Sequence, residues 1–287
     1  MPKYSGFDPI ESHNVVTSST TTSGTSYANT VITTLYLPFN DDVNDDSPFS
    51  QTITNRGSLT VDSTYTKFGS NALKSQTSGS LKIDNSASTD LDGSFTVEFF
   101  FYTTTSQSQT TLYVHNENNS SYSGLLFWIS NAGNFNGYGA TGGGSWNIFS
   151  TKTFTSSVTT GAWHHVAITY DGTTYRGYYD GDRKWEATSS TTLPTGGDHY
   201  IFSRNDGGQY QPATGEVYMD DFRVTKGEAL YTDSTYTVPT SALGLEQEDP
   251  VSLYLPFDSD VNDDSSFSHT VTASGSAAIS STQTKFG

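Results

Sequence analysis

The chain contains no cysteine. That removes disulfides, thiolate catalysis and Cys-ligated zinc together. Basic residues are scarce as well: 13 Lys and Arg stand against 30 Asp and Glu, a formal net charge of -17 with a pI of about 4.4. No stripe of Lys and Arg is available to displace the counterions of a phosphate backbone, which argues against nucleic acid as a partner. No long apolar run occurs, so no transmembrane helix and no membrane insertion are expected. The first residues lack the basic start and apolar core of a secretory signal, and an extracellular role would need another route of export. No convincing amphipathic helix is legible; a short helical turn at residues 226–230 is the one helical expectation.

What the chain does have is Ser, Thr, Gly and aromatics: 26 Gly, 18 Tyr, 17 Phe and 4 Trp in 287 residues. This is the composition of a polar β-protein. The pattern is clearest in residues 161–181, GAWHHVAITYDGTTYRGYYDG. Val166, Ile168 and Tyr170 recur with period two, Asp171-Gly172 supplies a turn, and Asp180-Gly181 supplies a second, so the stretch reads as a β-hairpin. Residues 93–103, GSFTVEFFFYT, put Phe95, Val97, Phe99 and Phe101 on one side of a strand and Glu98 and Phe100 on the other. Further short strands are expected at 112–115, 125–129, 200–203 and 217–224, with 131–144 as a Gly/Asn-rich loop region around Tyr138. Their number and spacing predict an all-β, two-sheet antiparallel sandwich.

The chain also repeats itself. LYLPFNDDVNDDSPFSQTIT begins at Leu35 and LYLPFDSDVNDDSSFSHTVT at Leu253, and the same offset of 218 residues carries Thr66 to Thr284 in TKFG. A constant offset between separated matches signals a duplicated unit. The expected organisation is a flexible or attachment leader at 1–30, a sandwich domain at 31–244, a linker at 245–252 and the truncated start of a second unit at 253–287. That last piece is too short for its own core. It is expected to pack on the preceding domain or to stay disordered, with strand exchange into another chain as the alternative.

Three stretches resemble one known family. Trp163-His164-His165-Val166-Ala167, followed by a turn and Tyr178, Asp180 and Gly181, resembles the central signature of laminin-G-like, concanavalin A-like jelly-roll domains. Residues 92–102 are similar to its Phe-Thr-hydrophobic-Glu-aromatic strand. Residues 215–240, with Asp220, Asp221, Arg223, Lys226, Gly227, Ala229, Leu230, Tyr231 and Pro239, are similar to its closing stretch. The resemblance implies a jelly roll and a carbohydrate-binding, adhesion or spacer module. The LYLPF opening and ALYT closing resemble domains common in virion and tail-fibre proteins of bacteriophages. From that follow the expectations of a virion or extracellular appendage, other subunits of it as partners, and a homo-oligomer.

Glycan hydrolases share this sandwich, and need two carboxylates about 5 to 10 Å apart across the scissile bond. Glu216 and Asp220 share a strand face but lie ~13 Å apart, with Tyr218 where the related hydrolase motif carries Asp, so no catalytic residue is expected. Asp220, Asp221 and Arg223 read as strand-end hydrogen bonds or an ion pair. His164 and His165 point to opposite faces of a strand and cannot jointly hold one metal; His164 reads as a satisfied sandwich histidine. Asp41, Asp42, Asn44, Asp45 and Asp46 form an acidic loop that could hold calcium through oxygen ligands, or that consists of solvated turn acids and Asx caps. For a host cell-surface glycan, the expected chemistry is an aromatic platform beside polar groups at a loop rim, with Tyr138, Trp146, Trp185, Asn205 and Tyr210 as candidates. The expected function is thus a noncatalytic adhesion or assembly module. A purely structural spacer is the alternative, with a glycan hydrolase behind it.

Overall fold

A computed structural model describes residues 31–57, 59–75, 79–106, 110–116, 123–142, 146–204, 216–245, 270–272 and 274. The leader, nearly all of the linker and second unit, and the candidates Asn205 and Tyr210 therefore lie outside the described residues. No helix occurs among those described, and the predicted helical turn at 226–230 is a strand end followed by bends and irregular chain.

Among the described residues fifteen strands follow one another: β1 (Ile32–Leu37), β2 (Ile53–Arg56), β3 (Thr60–Asp62), β4 (Ala72–Lys74), β5 (Ser80–Ile83), β6 (Phe95–Thr103), β7 (Thr110–His115) and β8 (Ser123–Ile129). Then come β9 (Phe135–Thr141), β10 (Phe149–Thr155), β11 (Trp163–Tyr170), β12 (Thr174–Tyr179), β13 (Asp182–Thr188), β14 (His199–Ile201) and β15 (Val217–Lys226). All pairings are antiparallel. One sheet runs β13-β12-β11-β6-β15-β4-β3, with β1 also on β15, and the other runs β10-β9-β8-β7-β14-β5-β2.

The core between the sheets is built from the alternation legible in the sequence. Phe95, Val97, Phe99 and Phe101 of β6, Val166, Ile168 and Tyr170 of β11, and Phe222 and Val224 of β15 face Leu125, Phe127 and Ile129 of β8, all within one buried cluster. The hairpin turn between β12 and β13 has positive φ at both Asp180 (51°) and Gly181 (83°), the two-residue geometry that matches strand twist. A Cβ on Gly181 would stand 2.5 Å from the Tyr236 carbonyl oxygen, so this glycine also admits a close backbone approach.

Two corrections concern aromatic candidates. Tyr138 lies in the middle of β9 and not in a loop. Its flanking Gly137 and Gly139 point inward, where a Cβ would stand 2.8 Å from the Phe127 ring and 2.5 Å from the Phe149 ring. The volume on that side of β9 is filled by phenylalanines of neighbouring strands, so glycine is what a strand requires there. Trp185 of β13, in turn, packs against Phe149 and Phe154 at the edge of the inter-sheet core. It does not join Tyr138 and Trp146 on one surface.

The acidic loop after β1 guards a strand edge. Asp45 is buried, and its two oxygens accept hydrogen bonds from the Tyr36 amide (2.9 Å), the Ser47 amide (2.9 Å) and hydroxyl (2.8 Å), and the Gln51 amide (2.7 Å). Ser47 Oγ and Gln51 Nε2 donate to the Thr34 carbonyl, and the Asp46 amide donates to that of Tyr36. These bonds use up groups that edge strand β1 would otherwise offer to another chain. Asp42 accepts the Asn44 amide at 2.7 Å, an Asx turn. Asp41, Asp42, Asn44 and Asp46 face solvent. Among the described residues, no group of three or more His, Asp or Glu side chains is disposed to hold a metal ion.

Candidate functional site: two outer faces

Each sheet has an outer face, and the two differ. On the eight-stranded sheet, alternation sends Thr96 and Glu98 of β6, His165 and Thr169 of β11, Tyr178 of β12, and Arg223 of β15 outward. The segment after β15, residues 227–244, crosses over them. Thr169 Oγ1 and the Tyr178 hydroxyl donate to the Tyr231 carbonyl, the Leu230 amide donates to Thr96 Oγ1, and the Arg183 amide donates to the Ser234 carbonyl. Tyr231 and Tyr236 stack on each other with ring centres 3.8 Å apart.

Beneath this strap lies a buried charge. Glu98 is 0% exposed; Arg223 donates to its Oε1 through Nε (3.0 Å) and Nη2 (2.6 Å), and the Tyr231 hydroxyl donates to its Oε2 (2.8 Å). His165 Nε2 stands 3.3 Å from Oε2 without hydrogen-bond geometry, and its Nδ1 meets the Tyr236 hydroxyl. Burial alone would raise the Glu98 carboxyl; the adjoining His165 and the Arg223 guanidinium outweigh it and hold the group below the ordinary carboxylate range. Arg223 Nη1 continues to the Leu243 carbonyl, and Asp221 Oδ2 accepts the Leu243 amide. The Tyr231, Tyr236 and Leu243 contacts tie strap to sheet around the Glu98–Arg223 pair.

The acids proposed above as structural are structural in this arrangement. Asp220 accepts the Lys67 and Phe68 amides at 2.8 and 3.1 Å, and Asp221 accepts the Tyr36 hydroxyl at 2.7 Å. A bulge with positive φ at Asp221 (54°) lets both consecutive acids leave the core. Glu216 pairs with Lys74 at 2.8 Å. Inside the sandwich, His164 lies between the Asp180 carboxylate (2.8 Å) and the Thr159 carbonyl (3.0 Å), as expected of a satisfied histidine.

The outer face of the seven-stranded sheet carries a row of rings and aliphatic side chains, with charge pairs at one end. Register places Tyr200 beside Val114, Val114 beside Leu126 and Leu126 beside Tyr138, a row crossing β14, β7, β8 and β9. Three strand spacings make this row about 14 Å long. Trp128, beside Asn136 in register, packs edge-on to Tyr138, and Trp146 packs edge-on to the same ring. Trp128 and Trp146 are partly exposed, while Tyr138 beside them and Tyr200 at the other end of the row are buried. At the far end of the row, Lys82 sits beside Tyr200 and bridges Asp84 (2.7 Å) and Asp198 (3.0 Å). Thr153 Oγ1 donates to Asn136 Oδ1 at 2.8 Å. The surface joins a strip of rings to polar groups at its margins.

Of the sequence candidates, Tyr138 and Trp146 come together here. Trp128 was missed, although the signal was available: in LLFWI, alternation with core-facing Leu125, Phe127 and Ile129 must send Leu126 and Trp128 outward.

Residues 75–230 match the family model described as the concanavalin A-like lectin/glucanases superfamily, more than half of the chain. The chain belongs to that superfamily. Among solved structures it is similar to domain 4 of AbnA, a GH43 extracellular arabinanase from Geobacillus stearothermophilus, in complex with arabinotriose (TM-score 0.50, 15% identity, 68% of this chain and 93% of that one). It is also similar to the binding domain of Paraclostridial Mosquitocidal Protein 1 (TM-score 0.54, 12% identity, 70% and 50%) and to the binding domain of botulinum neurotoxin DC in complex with SialylT (TM-score 0.53, 14% identity, 69% and 48%). It spans about half the length of the two toxin domains. At these identities the likeness is one of fold. No curated protein matches the chain.

Proposed function

We propose that this chain is a noncatalytic glycan-binding module that takes its sugar on the outer face of the seven-stranded sheet and is displayed from a virion or extracellular appendage. The observation that carries the reading is the ring strip of Trp128, Tyr138 and Trp146 with Asn136 and the Lys82 ion pairs at its margins. Stacking on C–H faces with polar groups alongside is the chemistry by which sugars are held. Superfamily membership and solved neighbours in complex with arabinotriose and SialylT support the same class of ligand. The noncatalytic part rests on the engaged acids of the other face, where Glu98, Asp220 and Asp221 are committed to Arg223, Tyr231, Tyr36 and backbone amides. The appendage part rests on the phage-domain resemblance of the LYLPF and ALYT stretches.

A spacer role draws support from the burial of Tyr138 and Tyr200, at 1% and 4% exposure. A glycan array with the full chain separates the two readings. Binding that disappears in Trp128→Ala supports the module, and a flat array with folded protein supports the spacer. Chelator is expected to leave binding unchanged, because Asp45, the buried acid of the loop, is already saturated within the chain.

A further inference from the structure

A pocket of about 350 Å³ opens at a corner of the sandwich away from the ring strip, where the start of β1, the β5–β6 connection and the end of β15 meet. Its size falls at the small end of the ~300–1,000 Å³ range of small-molecule sites. Ile32 and Phe49 give it apolar walls, and Thr34, Ser88 and Ser94 bring hydroxyls. Phe49 is 40% exposed, unusual for so large an apolar side chain in a fold that buries most of its phenylalanines. Asp92 and Lys226 line the pocket as an ion pair of 3.0 Å.

We infer that this corner is a second binding site, for a single neutral pyranose. The exposed Phe49 offers a face for the C–H side of a sugar ring, and Asp92 accepts and Lys226 donates hydrogen bonds to vicinal hydroxyls. The ligand is neutral because the two charges in the pocket compensate each other, and a chain of net charge -17 repels anions. This inference does not rest on the ring strip, which lies on the outer face of the other sheet.

Saturation-transfer NMR on the full chain with D-glucose, D-galactose, D-mannose and N-acetylglucosamine as separate probes tests it. At least one is expected to bind. Phe49→Ala and Asp92→Asn are each expected to weaken that binding about tenfold or more, roughly the loss of one good contact. Trp128→Ala is expected to leave it intact. Phe49→Leu, at an exposed position and still apolar, is expected to fold normally and to bind several-fold more weakly, so it decides the matter should either of the other variants misfold. The inference is overturned if folded protein gives no signal with any of the four sugars, if binding survives the pocket variants, or if it vanishes in Trp128→Ala. That last result would assign the sugar to the ring strip.

Discussion

The two outer faces of this sandwich start from the same material, outward residues of antiparallel strands, and end differently. On the eight-stranded sheet they are acids, Arg223, His165 and tyrosine hydroxyls, and the chain folds its own strap over them. On the seven-stranded sheet they are Tyr200, Val114, Leu126, Tyr138 and Trp128, with Trp146 alongside. On the polar face, the hydrogen bonds of Glu98, Thr96, Thr169, Tyr178 and Arg223 with the strap make it a fastening. A ring face with partly exposed tryptophans leaves contact area for something outside the chain.

The sharpest way to break the contrast is to cut the fastening. Glu98→Ala leaves Arg223 buried without its carboxylate, and is expected to cost about 3–5 kcal/mol in denaturant unfolding. The strap is expected to gain protease sensitivity in parallel. Gly139→Ala attacks the other sheet from within: its methyl group meets the Phe149 ring, and the expected cost is about 1–3 kcal/mol in the same assay. Tyr231→Phe removes one hydroxyl from Glu98 and is expected to cost about 1.5–3 kcal/mol at most, as the loss of a hydrogen bond to a charged group.

Asp220 sharpens the contrast through pH. Burial raises its carboxyl from the ordinary 3.8 to about 7. Between those values the folded chain binds a proton that the unfolded chain does not, so this group's contribution to stability falls as pH rises from about 4 to about 7 and is level beyond. Asp220→Asn keeps an acceptor for the Lys67 and Phe68 amides and cannot ionise. Its stability relative to the unsubstituted chain is expected to improve across that window. Melting curves at pH 4, 5.5 and 7.5 check this, and parallel curves would contradict it. Trp128→Ala, on a partly exposed ring, is expected to shift melting least of all.

Much of this was legible in the chain. The period-two runs of β6 and β11 placed their core residues, and Asp180-Gly181 announced its turn. Glycine misled at β9, where Gly137 and Gly139 read as loop because the rings that fill their space belong to Phe127 and Phe149, on other strands. Trp185 looked like a surface ring for a similar reason, since its partners Phe149 and Phe154 are distant in sequence. The Glu98–Arg223 pair joins residues 125 apart, a separation at which local pattern carries no information. The ring strip depends on register across four strands, which single-strand alternation suggests but does not align.

Trp128 and Trp146 are the part of the ring face left partly exposed, and the proposed function places the ligand on them. Titrating the full chain and its Trp128→Ala variant with the glycan that the array selects tests this most directly, with melting temperatures read on the same samples. The account predicts at least about a tenfold loss of affinity with little change in melting. Equal affinity in both proteins, or a loss matched by a collapse in melting temperature, would contradict it.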